Sequence, residues 1–314
     1  MTNIKENHTD LKNKIITSLK KAGFSEIGFS KAKDVDSSVI DTLKEWINSG
    51  RNANMKWLEK NIEKRANPAL LHKDTKTIIS MLHLWPETTF DKGDIRIAAY
   101  AHGHDYHEYL RRIATETLQI LSKENSSHKP RFFTDSAPIF DRFWAWKAGL
   151  GFIGKNGFLI NPKYGSRIFI SHIFTAIEFE EDNNQIENLC GNCRICLESC
   201  PTNAFNKDGH IDAKKCISYY NIEASEPTPE SISKKNPGWI FGCDSCQEHC
   251  PYNQTEIEPK LSLPMKSNWA VPNNAEEWLK LSNDDFIKQF SHTPLNRAGL
   301  EKIKQNILNL GFEE

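Results

Sequence analysis

Cys190-Gly-Asn-Cys193-Arg-Ile-Cys196-Leu-Glu-Ser-Cys200-Pro201 has the spacing C-x2-C-x2-C-x3-C-P. In bacterial iron–sulfur proteins this run holds one cluster with its first three thiolates and gives the fourth to a neighbouring cluster. A broken second copy follows, Cys243-Asp-Ser-Cys246-Gln-Glu-His-Cys250-Pro251, with the x2 and x3 spacings and the Cys-Pro ending but no first cysteine. Cys216 is the one cysteine left to complete it. The arithmetic therefore predicts crossed ligand sets for two [4Fe–4S] clusters. Cys190, Cys193, Cys196 and Cys250 hold one, and Cys200, Cys216, Cys243 and Cys246 the other. Structural zinc also uses C-x2-C pairs, yet it has no reason for two Cys-Pro endings. Disulfides are the third alternative.

Outside this run the chain has no cysteine, either in residues 1–189 or in residues 251–314. Two clusters imply electron transfer in single steps. The long segment ahead of them implies that the electrons are used within the same chain. With 40 Lys+Arg against 41 Asp+Glu, the net charge is −1, which argues against a bulk basic nucleic-acid binder. Hydrophobic residues at 38% and aromatics at 10% suffice for a core in 314 residues. No apolar run approaches the ~18 residues of a membrane span, and the N-terminus has no signal-peptide pattern. The expectation is a cytoplasmic protein that does not enter a membrane, where cysteines serve as metal ligands.

Periodicity predicts helices over residues 10–21, 34–48, 105–123 and 140–148, the third being the longest. Strands are expected at 26–30, 77–85 and 131–134, and a hairpin turn at 162–165 between strands 158–160 and 167–174. Residues 178–187 read as an acidic linker, and 275–281, 284–290 and 295–310 as helices. The fold class expected is mixed (α+β or α/β). An N-terminal α/β domain spans 1–183, a ferredoxin-like module 184–256 and a C-terminal helical segment 257–314.

Three further patterns have plain structural readings. His102, His104 and His107 at a helix start are ordinarily solvent-facing or hydrogen-bonded rather than a metal site. Asp135-Ser136 before Pro138 most simply supplies a helix N-cap. The glycines of Gly149-Leu-Gly151-Phe-Ile-Gly154 follow a helix, not a strand, so the dinucleotide context is wrong.

Taken together, Ile62-Glu-Lys-Arg65, Gly103-His-Asp-Tyr-His107, Asp135-Ser-Ala-Pro138 and Ala148-Gly-Leu-Gly-Phe-Ile-Gly-Lys-Asn156 make the chain similar to a known family. Tyr164-Gly-Ser166, the eight cysteines, Cys216-Ile-Ser-Tyr219, Asn221-Ile-Glu223, Pro294-Leu-Asn-Arg-Ala-Gly299 and Asn306 extend the match over nearly the whole length. The chain resembles the epoxyqueuosine reductases, cobalamin-dependent enzymes of tRNA queuosine synthesis. Longer members carry C-terminal helical repeats that are not seen here. The resemblance implies a cobalamin-binding domain fed by the two clusters, acting as a monomer with an unidentified electron donor. The substrate it implies is tRNA with epoxyqueuosine at the anticodon wobble position. It further implies Asp135 as proton donor, with Arg65, Lys155, Asn156, Ser166, Ser218 and Asp244 along the corrin and Arg297 and Lys302 on the tRNA backbone.

Neither Asp105-x-His107, followed by Leu110, nor Asp208-x-His210, followed by Ala213, completes the Asp-x-His-x-x-Gly motif that donates a lower histidine to cobalt. A base-off cobalamin without a protein histidine is expected. The rival functions are a cobalamin-dependent reductive dehalogenase and an electron-transfer iron–sulfur protein with no substrate of its own.

Overall fold

The computed structural model describes residues 2–85, 90–92, 94–182, 184–206, 209–254 and 271–313. Its centre is the strand Thr77–Leu84, buried at every position. Glu26–Lys31 pairs on one side of it and Ile168–Thr175 on the other, and Arg131–Phe133 adds to the outer edge of Ile168–Thr175. All three pairings are antiparallel. The alternation of helix and strand in the sequence thus belongs to a mixed fold with an antiparallel sheet, which needs no crossover helix between neighbours.

Successive side chains of a strand face opposite ways, and Thr77–Leu84 uses both faces. Ile79 and Met81 join Leu11, Ile15 and Leu19 of the helix Thr2–Lys21, together with Leu121 of Thr115–Glu124. Ile78 packs with Phe174 and Trp144, and Leu82 and Leu84 with Ala145 and Ala148, so the helix Asp141–Lys147 covers the other face.

A second sheet ties the halves of the chain together. Ile95–Ile97 pairs in parallel with Trp239–Phe241, just ahead of Cys243. Behind these strands pack the C-terminal helices Ala275–Lys280, Asn283–Phe290 and Gly299–Leu308, through Trp278, Phe286, Phe290, Ile303 and Ile307. The Asn306 amide, 2% exposed, donates to the carbonyls of Asn221 (3.0 Å) and Ile240 (2.8 Å). The boundaries expected at 183/184 and 256/257 touch or lie in residues outside the described set, as does Asp208 of the histidine motif.

Several local expectations are corrected. The longest helix is Thr2–Lys21, and the pattern over 105–123 divides at Ala114 into Tyr106–Ile113 and Thr115–Glu124. Among the described residues of the expected linker there is no regular structure, yet they are strapped down. Phe179 is 2% exposed, and Asp182 accepts from the Phe29 amide (2.9 Å) and the Lys12 ammonium (2.7 Å). The expected hairpin is rearranged, because Leu159–Ile160 pairs back onto Phe152–Ile153 while Ile168–Thr175 enters the central sheet. Asn161 closes the intervening turn by accepting from the amides of Lys163 and Tyr164. Gly165 there has φ +72°, and a Cβ on it would lie 2.1 Å from Asn253 Oδ1.

Two histidines are buried in this framework. His83 lies edge-on to Phe24 and Tyr109, and its Nδ1–H donates to the Leu84 carbonyl at 3.0 Å. Burial pushes its pKa from 6.5 down to about 4, and the same cause takes His102 to about 4. Both folded values are depressed, so their stabilising contribution is whole above pH 6.5 and is lost as pH falls toward 4. Each unit of depression corresponds to about 1.4 kcal/mol. The urea midpoint is expected to drop across that window, and to drop less steeply in His83→Phe. An equal slope in the two proteins would rule out this source.

Candidate active site and cluster cavities

The two cysteine runs place their thiols at the entrances of short helices, Ile195–Glu198 and Ser245–Glu248. Cys190, Cys193, Cys196 and Cys250 line one cavity of about 240 Å³, together with Lys155, Asn156, Leu189, Ile195 and Tyr252. Cys200, Cys216, Cys243 and Cys246 line another, with Thr202, Ala204 and Ile217. All eight thiols are free. Among the described residues no three His, Cys, Asp or Glu side chains converge as a single metal ion requires. Each set of four thiols nonetheless lines one cavity, as a shared cationic occupant would require.

The electrostatics point the same way. Burial, reinforced by Cys243, Cys216, Asp244 and Cys200, holds the Cys246 thiol well above its ordinary pKa. Burial also pushes Cys243 up to about 12. Thiols so crowded give up their protons only to a strongly cationic centre. Backbone amides are aimed at the sulfurs, with Ala204 N–H 3.3 Å from Cys200 Sγ and Ser218 and Tyr219 N–H on Cys216. The Lys155 ammonium donates to the carbonyls of Gly191 (2.5 Å) and Cys193 (2.9 Å), fixing the first cysteine loop.

Asp135 follows the strand Arg131–Phe133 with φ +46°, a left-handed conformation that a non-glycine residue holds only under constraint. It is not an N-cap. The next helix begins at Asp141, with Phe140 in the cap position. Tyr106 Oη donates to Asp135 Oδ2 at 2.6 Å, and its ring is stacked between Phe169 (4.3 Å) and His107 (4.1 Å). Asp135 is open to water, yet surrounding protein desolvates it enough to raise its pKa. We read the two together as a recess open to water, called the cleft below. The Tyr106 hydrogen bond opposes that rise, Asp141 adds to it, and His107 and Arg297 oppose it.

Two features here were not visible in the sequence. One is Tyr106 itself, whose partner lies across the fold. The other is a buried pair, Ser80 Oγ and His172 Nδ1 at 3.0 Å, with Asp141 Oδ1 3.4 Å from a His172 Nε2 that makes no hydrogen bond. Ser80 and His172 are wholly buried and face each other across paired strands. No short-range spacing signals either one.

The remaining expected residues divide into groups. Arg65, 8% exposed, donates to the Ile139 carbonyl at 3.4 Å, while its buried Nε has no partner. Ser166, Asn156 and Asp244 have their side chains bonded within the protein, to Gln247 Oε1 (2.9 Å), the Cys246 carbonyl (3.3 Å) and the Ala99 amide (2.6 Å) respectively. Ser218 precedes the turn Tyr219–Glu223. Arg297 pairs with Glu223 at 2.6 Å, and its charge is felt at Asp135. Lys302 is half-buried and donates to the Ala224 carbonyl at 2.8 Å, so its ammonium anchors the C-terminal helix instead of standing free for phosphate. His102, His104 and His107 do not converge, since His102 is bonded to the Ile97 carbonyl and His107 to Asp105.

With this geometry in hand, comparison with known proteins is informative. Residues 65–136 match the family model described as "Epoxyqueuosine reductase QueG, DUF1730", and residues 189–253 match a 4Fe-4S double cluster binding domain. The epoxyqueuosine reductase of Cellulophaga algicola is 33% identical over 306 residues, covering 97% of this chain and 98% of that one. A solved epoxyqueuosine reductase with a tRNA-Tyr epoxyqueuosine-modified stem loop superposes with a TM-score of 0.84 at 29% identity, over 96% of this chain and 81% of that one. The Bacillus subtilis enzyme, solved with its catalytic aspartate loop swung out of the active site, gives 0.82 at 28% identity over the same shares. The double-cluster module, the antiparallel domain ahead of it and the near full-length identity agree: this chain belongs to the epoxyqueuosine reductase family.

Proposed function

We propose that this chain reduces epoxyqueuosine to queuosine at the wobble position of a tRNA anticodon, in the cytoplasm. The observation that carries the reading is Asp135, a water-accessible carboxyl biased toward its protonated form, in a molecule that also builds two four-cysteine cavities. Family membership supports it, as do a relative solved with the modified stem loop and another with a mobile catalytic aspartate. Converting an epoxide to an alkene consumes two electrons and two protons and releases water. We assign residues 1–183 to cofactor and substrate, 184–256 to electron delivery and 257–314 to tRNA contact.

The two cysteine sets, each around one cavity, are the proposed ligands of the two [4Fe–4S] clusters, which supply electrons singly. Cobalamin also fits the residues present. Arg65 Nε is a buried donor without an acceptor beside the cleft loop, as an amide-rimmed corrin would require. Arg65 and Ser218 are the proposed direct contacts. Lys155, Asn156, Ser166 and Asp244 shape the surrounding wall through the loops they hold. We infer a base-off cofactor with no protein histidine below it. When bound, cobalamin supplies a strongly reducing centre to the substrate carbon.

The protein's own work is proton handling. Asp135, whose pKa is raised by desolvation, donates its proton to the departing oxygen. Tyr106 Oη then stabilises the carboxylate left behind and holds it in place. The hydroxyl of Tyr106 keeps its proton, because burial raises its pKa, as does the charge of Asp135. Arg297, exposed beside the cleft, is the proposed phosphate contact of the C-terminal segment, with Lys302 positioning that helix.

Asp135→Asn is expected to retain both clusters and cobalamin while losing about 10²–10⁴-fold in turnover. An active variant would end the assignment. Because the acid must be protonated, turnover falls as pH rises through the raised folded pKa of Asp135. Tyr106→Phe removes a hydrogen bond that favours the carboxylate, so that fall should move to higher pH. A shift to lower pH, or none, would sever Tyr106 from the acid.

Cys216→Ser is expected to lower bound iron from about eight to about four per chain, with the first cluster's paramagnetic signal kept. Equal loss of both signals would contradict the crossed assignment. Stoichiometric zinc without labile sulfide in the anaerobic wild-type protein would overturn the cluster reading itself.

A further inference from the structure

Trp57 is 51% exposed on the short turn Lys56–Glu59. Leaving so large an apolar ring in water forgoes a substantial burial gain. Its surroundings are cationic: Lys56, Lys60 and Lys64 are exposed, and none has an ion-pair partner among the described residues. The stretch carries these three lysines against two carboxylates, Glu63 and Glu59, the latter accepting from the Asn52 amide at 2.9 Å, so its net charge is positive.

The chain leading into the turn is anchored. Trp46 Nε1 donates to the Ile211 carbonyl at 2.6 Å, and the Asn54 amide donates to Tyr219 Oη at 3.1 Å. The Asn54 side chain also donates to Glu226 at 2.7 Å. The turn is also joined to the cleft. The Arg65 guanidinium lies over the Trp57 ring at 5.9 Å and donates to the carbonyl of Ile139, in the loop that starts at Asp135.

We propose that Trp57 is a stacking platform for an unpaired RNA base adjacent to the modified one, with Lys56, Lys60 and Lys64 on the flanking phosphates. This rests on the tRNA reading above and names a contact within it. A base presented for chemistry leaves its stack, so its neighbour loses a partner that an indole face replaces. The ring of unpaired ammonium groups selects a polyanion over an apolar protein surface. A turn whose lead-in is anchored loses less backbone freedom when the base arrives.

The test uses the protein loaded with clusters and cobalamin and a fluorescently labelled anticodon stem–loop RNA bearing epoxyqueuosine, titrated at several salt concentrations. Trp57→Ala should weaken binding by about tenfold or more, and Trp57→Phe by no more than about threefold, because any aromatic face stacks. Lys60→Ala should reduce the salt slope by about one. The fully paired stem without its loop should not distinguish wild type from Trp57→Ala. Cofactor content, read from the absorption spectrum, should match wild type in every variant.

Trp57→Ala binding as tightly as wild type would overturn the platform while leaving the tRNA reading intact. A Trp57→Ala protein that loses cobalamin but binds RNA normally would overturn it in favour of a cofactor contact. Wild-type protein that fails to bind the stem–loop would remove the tRNA reading, and the platform with it.

Discussion

Eight thiols gathered into two desolvated cavities make up the constraint on which the rest of the molecule depends. Desolvation holds the buried thiols in their protonated form, and ionising them without a cation nearby is unfavourable. Closing the two cavities means drawing Cys250 back to the first run and Cys200 and Cys216 forward to the second. The N-terminal domain supplies the braces. Lys155 and Asn156 hold the two cysteine loops, Ser166 is bonded to Gln247 and Asn253, and the Ala99 amide meets Asp244. The cluster module and the cleft are therefore registered to each other by hydrogen bonds rather than joined by a tether.

That registration explains where the strain sits. Asp135 holds its left-handed backbone between a strand of the central sheet and a helix that covers it. Tyr106, clamped between Phe169 and His107, meets its carboxyl from another helix. A carboxyl whose pKa is raised at the edge of water combines desolvation with access, as Asp135 does. The buried Ser80–His172 pair lies in the sheet at the start of the covering helix, with Asp141 Oδ1 3.4 Å from His172 Nε2.

What could be read from the sequence divides by the range of the interaction. Cysteine spacing is local, and the two groups of thiols that share cavities are the groups the spacing suggests. The buried strand Thr77–Leu84 and the C-terminal helices were equally legible, since periodicity is local too. The antiparallel order of the sheet was not, because it depends on pairing between segments far apart in the chain. Asp135 looked like a helix cap because composition cannot reveal a positive φ. Lys302 looked like a free cation because nothing in its neighbourhood announces the carbonyl of Ala224. The acidic stretch after Ile168–Thr175 looked like a linker because the partners of Asp182 lie in the first helix and first strand.

The parallel pairing of Ile95–Ile97 with Trp239–Phe241 has a consequence for synthesis on the ribosome. The strand leaves the exit tunnel well before its partner, and at roughly 5–20 residues per second the wait lasts several seconds. The central sheet, complete once residue 175 has emerged, can close during that interval. The Ile95–Ile97 edge cannot, and it stays a bare strand edge of the kind that pairs indiscriminately with other chains. Its partner arrives only after the first cysteine run, within a few residues of Cys243. Capping of the nascent edge and emergence of the second cysteine run are thus nearly simultaneous events.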